Sequence, residues 1–195
     1  MKKLLNAAVL CLALASGAGA LEVTGTVPGS VKGAAKGDFL LSGLEVRGVS
    51  FEKGAVVMPV TENKGRTYAD VKLLSKALYG KIENCFKNGC AKQAAPAAGT
   101  EGKEKPAPRE EKQAAKVSVP VIKVEEFKPL KSKIRVANAE VSFDGELLVS
   151  LGVMASSKEP GTFWIAFPDT LEFKDGALKA AVEKAVKDGW EKSKK

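Results

Sequence analysis

Residues 91–116, AKQAAPAAGTEGKEKPAPREEKQAAK, limit the fold more than any other stretch of this chain. They contain no aromatic and no branched aliphatic residue, and Pro96, Pro106 and Pro108 interrupt them. A segment with nothing to bury cannot join a core. It reads as a flexible linker, partly extended around its prolines, with a helical stretch over 109–116 as the alternative. The 195-residue chain is thereby split into a part at 21–90 and a part at 117–195. Each is of small-domain size.

The first 20 residues, MKKLLNAAVLCLALASGAGA, hold Lys2 and Lys3, an apolar run from Leu4 to Ala15 and an Ala18-Gly19-Ala20 end. That order is expected of a secretory signal peptide, residues 1–20, cut between Ala20 and Leu21. The apolar run is shorter than the ~20 residues a membrane-crossing helix needs, and no second long run follows. The mature chain is therefore expected to lack a transmembrane segment and to be exported, to the periplasm of a Gram-negative-type bacterium or beyond. Cys11 sits inside the apolar run behind the bulky Leu10, which does not suit a lipoprotein acceptor. Loss of Lys2 and Lys3 takes the formal charge from +8 to +6. The remaining basicity is spread out, without the dense tract of a nucleic-acid arm.

The chain has no histidine. This excludes Ser-His-Asp and Cys-His catalysis, histidine zinc ligands and an imidazole pH switch. The pairs Glu110-Glu111 and Glu125-Glu126 lie in linker or charged surface, with no flanking apolar pocket to shift a carboxyl pKa. The glycine-rich stretch from Gly25 to Gly37 lacks the Lys-Ser/Thr ending of a phosphate loop. No catalytic residue, metal ligand or cofactor is expected.

Hydrophobic periodicity gives the elements. Leu21 to Val27 alternates as a strand, and a Gly/Lys loop follows to Gly37. Phe39 to Val49 is a longer strand region broken by Gly43. Ala55 to Val60 is a short apolar run ended by Pro59. Glu62-Asn63-Lys64-Gly65 is a turn, from which Thr67 to Leu73 returns as a second hairpin arm. Ser75 caps a helix carrying Leu78, Ile82, Cys85 and Phe86, stopped at Asn88-Gly89. In the second part, Val117 to Val124 is an edge strand at most, because of Pro120. Ile134 to Phe143 and Glu146 to Ala155 flank the hairpin signal Asp144-Gly145. Thr162 to Phe167 is a strand ended by Pro168. Ala177 to Lys192 is an amphipathic helix with Leu178, Val182, Ala185, Val186 and Trp190 on one face. Trp164 and Trp190 are expected to pack within this layer.

Both parts run strands, a Pro-ended apolar stretch, a polar turn and a helix. Ala55-Val56-Val57-Met58-Pro59 aligns with Trp164-Ile165-Ala166-Phe167-Pro168. The order is that of an internal repeat. The first copy, from Phe39 to Phe86, resembles the SpoVG septation and sporulation family. The matching positions are Gly54, Val56, Val57, Met58, Pro59, Gly65, Tyr68, Asp70, Val71, Lys81 and Ile82. The second copy is similar through Gly161, Ile165, Ala166, Phe167, Pro168 and the helix. Its segment after Pro168 is shorter, so most of the last strand is expected to be missing. The resemblance implies an α+β fold of two SpoVG-like modules, each a small twisted antiparallel sheet with a C-terminal amphipathic helix. It also implies a link to septation or sporulation control and, for some members, DNA or RNA binding. Members of the family are cytoplasmic, so duplication and export set this chain apart.

Cys85 and Cys90 are the two cysteines left after the signal. With Gly89 as a left-handed residue past the helix, Cys90 folds back onto Cys85, and an oxidising compartment favours a disulfide. The alternatives are a redox dithiol or half a metal site. Both are disfavoured by the absent C-x-x-C spacing and the absent further ligands. Lys64, Arg66, Lys72, Lys76 and Lys81 surround the turn, hairpin and helix of the first part. An ordinary solvated face is the simpler account of them, and contact with nucleic acid or a partner the functional one. Asp169 and Glu172 in the second copy would repel a phosphate.

These features together lead to a non-enzymatic, exported binding or assembly protein of the cell envelope, linked to septation. Its partner is expected to be an envelope protein or a second copy of itself. The rival expectation is a nucleic-acid-binding regulatory module, disfavoured by export.

Overall fold

The computed structural model describes residues 20–26, 32–63, 65–90 and 119–194. Positions 1–19 of the expected signal peptide, with Cys11, then Lys64 and the expected linker 91–116 lie outside the described residues. In chain order the elements are β1 (Val23–Thr26), β2 (Lys36–Leu41), β3 (Leu44–Glu52), β4 (Ala55–Val57), β5 (Thr61–Asn63), β6 (Arg66–Tyr68) and β7 (Val71–Leu73). There follow α1 (Lys76–Asn88), β8 (Ile122–Pro129), β9 (Arg135–Phe143), β10 (Leu147–Ala155), β11 (Phe163–Ala166), β12 (Leu171–Phe173) and α2 (Gly176–Ser193). The fold is α+β, and every strand pairing among the described residues is antiparallel.

Two five-stranded sheets carry the structure. In one, β1, β2 and β3 lie side by side, and the far edge of β3 is shared by β4 and β12. In the other, β8, β9 and β10 lie side by side, and the far edge of β10 is shared by β11 and β7. The last short strand before each helix therefore joins the sheet of the other half. Val71, Lys72 and Leu73 pair with Val149, Leu148 and Leu147. Leu171, Glu172 and Phe173 pair with Val46, Glu45 and Leu44. The same flanking bonds recur at both crossings. Ser150 N donates to the Asp70 carbonyl at 2.7 Å and Arg47 N to that of Thr170 at 2.8 Å. Leu74 N donates to the Glu146 carbonyl at 2.7 Å and Lys174 N to that of Gly43 at 2.9 Å.

Each helix returns to its own half's sheet. Ser75 accepts hydrogen bonds from Ala77 N and Leu78 N, and Asp175 from Ala177 N, so both helices start on a side-chain cap. The inner face of α1 buries Leu78, Ile82, Cys85 and Phe86, and that of α2 buries Leu178, Val182, Val186 and Trp190. Phe86 lies 5.3 Å from both Phe39 of β2 and Phe51 of β3. Trp190 meets Phe127 of β8 and Phe163 of β11. These side chains form one contiguous core with the alternating inward residues of β9 and β10, such as Ala139, Val141, Val149 and Leu151.

Several expectations are corrected. The stretch from Phe39 to Val49 is a tight hairpin turning at Ser42-Gly43, both with positive φ. Thr61–Asn63 pairs with Arg66–Tyr68, with Gly65 in the turn between them, and Val71–Leu73 does not return in that hairpin but crosses to β10. The second half keeps its last strand as β12; what it lacks is the β5–β6 hairpin. Trp164 is not packed inward; it is half exposed on β11. The β9–β10 turn is three residues long, with Phe143 opposite Leu147, so Glu146 is an added turn residue.

Candidate functional site

The residues that carry the family resemblance hold turns and crossings. Gly54 (φ 81) and Gly65 (φ 71) close the β3–β4 and β5–β6 turns in a backbone conformation that favours glycine. Pro59 stands just past the end of β4, and Pro168 just past the end of β11. The Asp70 carbonyl receives the bond that guides β7 onto β10. Met58 and Pro59 line a shallow cleft with Asp169 and Thr170 from the other half, opposite Arg47 and Gly48 of β3. Gly48 lies at a bulge between the β12 and β4 segments of that edge, and its N–H donates to Asp38 Oδ1 at 2.8 Å.

The four described basic candidates sit on three elements. Arg66 is exposed on β6, Lys72 is exposed on β7 in the other half's sheet, and Lys76 is exposed at the start of α1. Lys81 is engaged, donating from Nζ to the Leu21 carbonyl at 2.8 Å. Lys64 lies outside the described residues. Glu172 is not free to repel a phosphate: it is paired with Arg47 and, at 3.0 Å, with Lys174.

That pairing belongs to a four-charge group on the β3–β12 seam. Glu45 and Glu172 stand directly opposite each other, a repulsive arrangement on its own. Arg47 Nε lies 2.9 Å and Lys174 Nζ 2.5 Å from the Glu45 carboxylate. Burial works to raise the Glu45 pKa, but the hydrogen bonds and charges of Lys174 and Arg47 outweigh it. The carboxyl is held below its ordinary 4.5. The group is self-neutralising and joins the halves.

Cys85 and Cys90 form a disulfide with Cα atoms 4.4 Å apart. The Gly89 N–H donates to the Cys85 carbonyl and φ is 90°, as the helix stop requires. Its ψ of 148° is extended, so the stop is not the left-handed one expected. Among the described residues no three His, Cys, Asp or Glu side chains gather as a metal site, and no helix is long and apolar enough to cross a membrane.

One element stands apart. β5 and β6 pair with each other as a two-stranded sheet and with neither large sheet. Arg66, Thr67 and Tyr68 are all exposed. Tyr68 is 46% exposed, and the approach to the hairpin presents Val57 and Val60, 42% and 54% exposed. A lone two-stranded ribbon is marginal in water without a surface to pack on. Arg66 and Tyr68, two apart on a strand, share one face. The basic residues of this region pointed to Arg66 and the family resemblance to Tyr68, but the outward facing of Val57 and Val60 was missed, because an apolar residue in a short run carries no mark of facing outward. A second exposed apolar spot, Trp164 with Ile134, Lys133 and Lys158 around a shallow groove, was missed for the same reason. No family model matches the chain, and no curated protein and no solved structure was found to be similar to it.

Proposed function

We propose that this chain is an exported, non-enzymatic binding or assembly protein of the cell envelope, built from two SpoVG-like modules, and that the β5–β6 hairpin is its docking arm. Duplication of one module accounts for the matched crossings of β7 and β12, for the caps at Ser75 and Asp175, and for the turn side chains. At those turns Ser42 Oγ accepts from Glu22 N and Asp144 Oδ1 from Val121 N. Export accounts for a disulfide in a chain with two cysteines beyond the signal.

The observation that carries the docking role is the projecting hairpin, present in one half only, with Tyr68, Val57 and Val60 exposed. Aromatic side chains on an exposed ribbon suit a partner's surface groove. A photo-crosslinking residue in place of Tyr68 is expected to capture one envelope protein, or a second copy, in intact cells. The same residue in place of Asp188 on α2 serves as the control. Equal, diffuse labelling from both positions overturns the docking role.

Nucleic-acid binding is the second reading, favoured by Arg66 and Tyr68 sharing one strand face: one suits phosphate, the other base stacking. It requires a gel shift at low salt that falls steeply with added salt and is lost in Lys64→Ala/Arg66→Ala. No shift at low salt dismisses it.

A further inference from the structure

At the start of the described residues, burial changes within one step. Ala20 is exposed, whereas the next side chain, Leu21, is fully buried among the core residues. The Leu21 nitrogen lies 2.7 Å from Glu146 Oε2. The other carboxylate oxygen, Oε1, accepts from Ser75 Oγ at 3.0 Å. The Glu146 carbonyl accepts from Leu74 N and Ser75 N. On the far side of the residue, the Leu21 carbonyl accepts from Lys81 Nζ. Glu146 thus gathers the start of the first half, the end of the crossing strand β7 and the cap of α1 into one group of contacts. It is the third residue of the β9–β10 turn, where the first half's Ser42-Gly43 turn has two.

We propose that Leu21 is the processed N-terminus and that its α-ammonium forms an ion pair with Glu146 which locks the two halves together. This rests on the export reading above. The step is a hydrolysis by a leader-cleaving peptidase with water. The Ala20–Leu21 peptide bond breaks, the water hydroxyl goes to the Ala20 carbonyl carbon, and the Leu21 nitrogen leaves as an amine that takes up a proton. An α-amino group has a pKa near 7.7–8.0, and a carboxylate neighbour favours its charged form. A neutral amide donor to Glu146 becomes a charged one, and charge-assisted hydrogen bonds are about twice as strong. Lys81 is the other charged group at Leu21. It points to the carbonyl, where its positive charge finds an acceptor rather than the ammonium. Leu21 is buried and Glu22 N is bonded to Ser42 Oγ, so cutting precedes folding and the lock forms as the exported chain folds.

The test is a cycle on the oxidised protein. One form begins at Leu21, released by a protease that leaves no extra residue, and one retains Ala20 as its first residue. Glu146→Gln is made in both. The substitution is expected to lower the thermal midpoint by about 2–4 °C more in the form beginning at Leu21. Equal losses in the two forms overturn the ion pair. Since Glu146→Gln could unfold either form, labelling of the unsubstituted proteins by an amine-acylating reagent is the second readout. The Leu21 amine is expected to react severalfold more slowly than the Ala20 amine, because the carboxylate at 2.7 Å holds it as the unreactive ammonium. Equal rates overturn the pair as well. Intact mass of the protein from cell fractions separates this from the export reading. A full-length cytoplasmic chain overturns the processed terminus and export together, and a start other than Leu21 overturns the Leu21 terminus while leaving export standing. A Leu21 start with no difference in the cycle overturns the lock alone.

Discussion

Glu45 is the buried carboxylate in this fold that depends most on residues far away in the chain. Its partner Lys174 belongs to the other half, and Arg47 bridges it to Glu172. Because its folded pKa lies below 4.5, the stability it contributes is present above that pH and is lost as the pH falls through the lower folded value. Urea midpoints measured at descending pH are expected to drop in the native chain and to fall less steeply in Glu45→Gln. An unchanged acid profile in that variant would show that the seam charges contribute nothing. The disulfide acts locally, closing a short loop at the end of α1. Its reduction is expected to cost about 2 kcal/mol, read as a lowered denaturant midpoint with the fold retained. At this scale much was legible in the sequence, because the signals are short-range. Ser75 caps the helix it precedes, Asp144-Gly145 turns a hairpin, and Cys85 and Cys90 lie either side of a helix stop. Glu45 was not legible, since nothing near it in sequence tells of Lys174.

At the scale of elements, the long strands and helices follow from period alone. The expected helix from Ala177 to Lys192 is α2, and Ile134 to Phe143 is β9 within one residue. The three-residue strands were misassigned for a physical reason. Val71–Leu73 and Leu171–Phe173 are too short to carry an alternation, and their partners are chosen by tertiary packing. The hairpin between Pro59 and β7 is an element the framework does without on the other side, where Asp169 and Thr170 span the same step. Replacing residues 60–70 by Asp-Thr is therefore expected to leave the thermal midpoint within about 2 °C, the range of surface changes. With the photo-crosslinking residue placed at Val57, which the deletion leaves in place, the same deletion is expected to abolish capture of the partner. A midpoint lowered by about 10 °C or more would instead place the hairpin in the support of the core.

The whole molecule is held by exchange. Each half contributes one strand to the other's sheet and takes its helix back, so neither sheet is complete without the other half's strand. Without β12, the edge of β3 at Leu44–Val46 would be bare; without β7, that of β10 at Leu147–Val149 would be. Bare edges of this kind invite pairing with another chain. The linker was legible as a divider, but division in sequence says nothing about separation in space, and the order of elements alone did not reveal the crossing. A protease site placed within residues 91–116 tests the interlock most directly, with the cut protein weighed by native mass spectrometry and size exclusion. The fold predicts that the two pieces stay together as a one-to-one complex and part only on unfolding. Two pieces that separate as independently folded monomers under native conditions would contradict it.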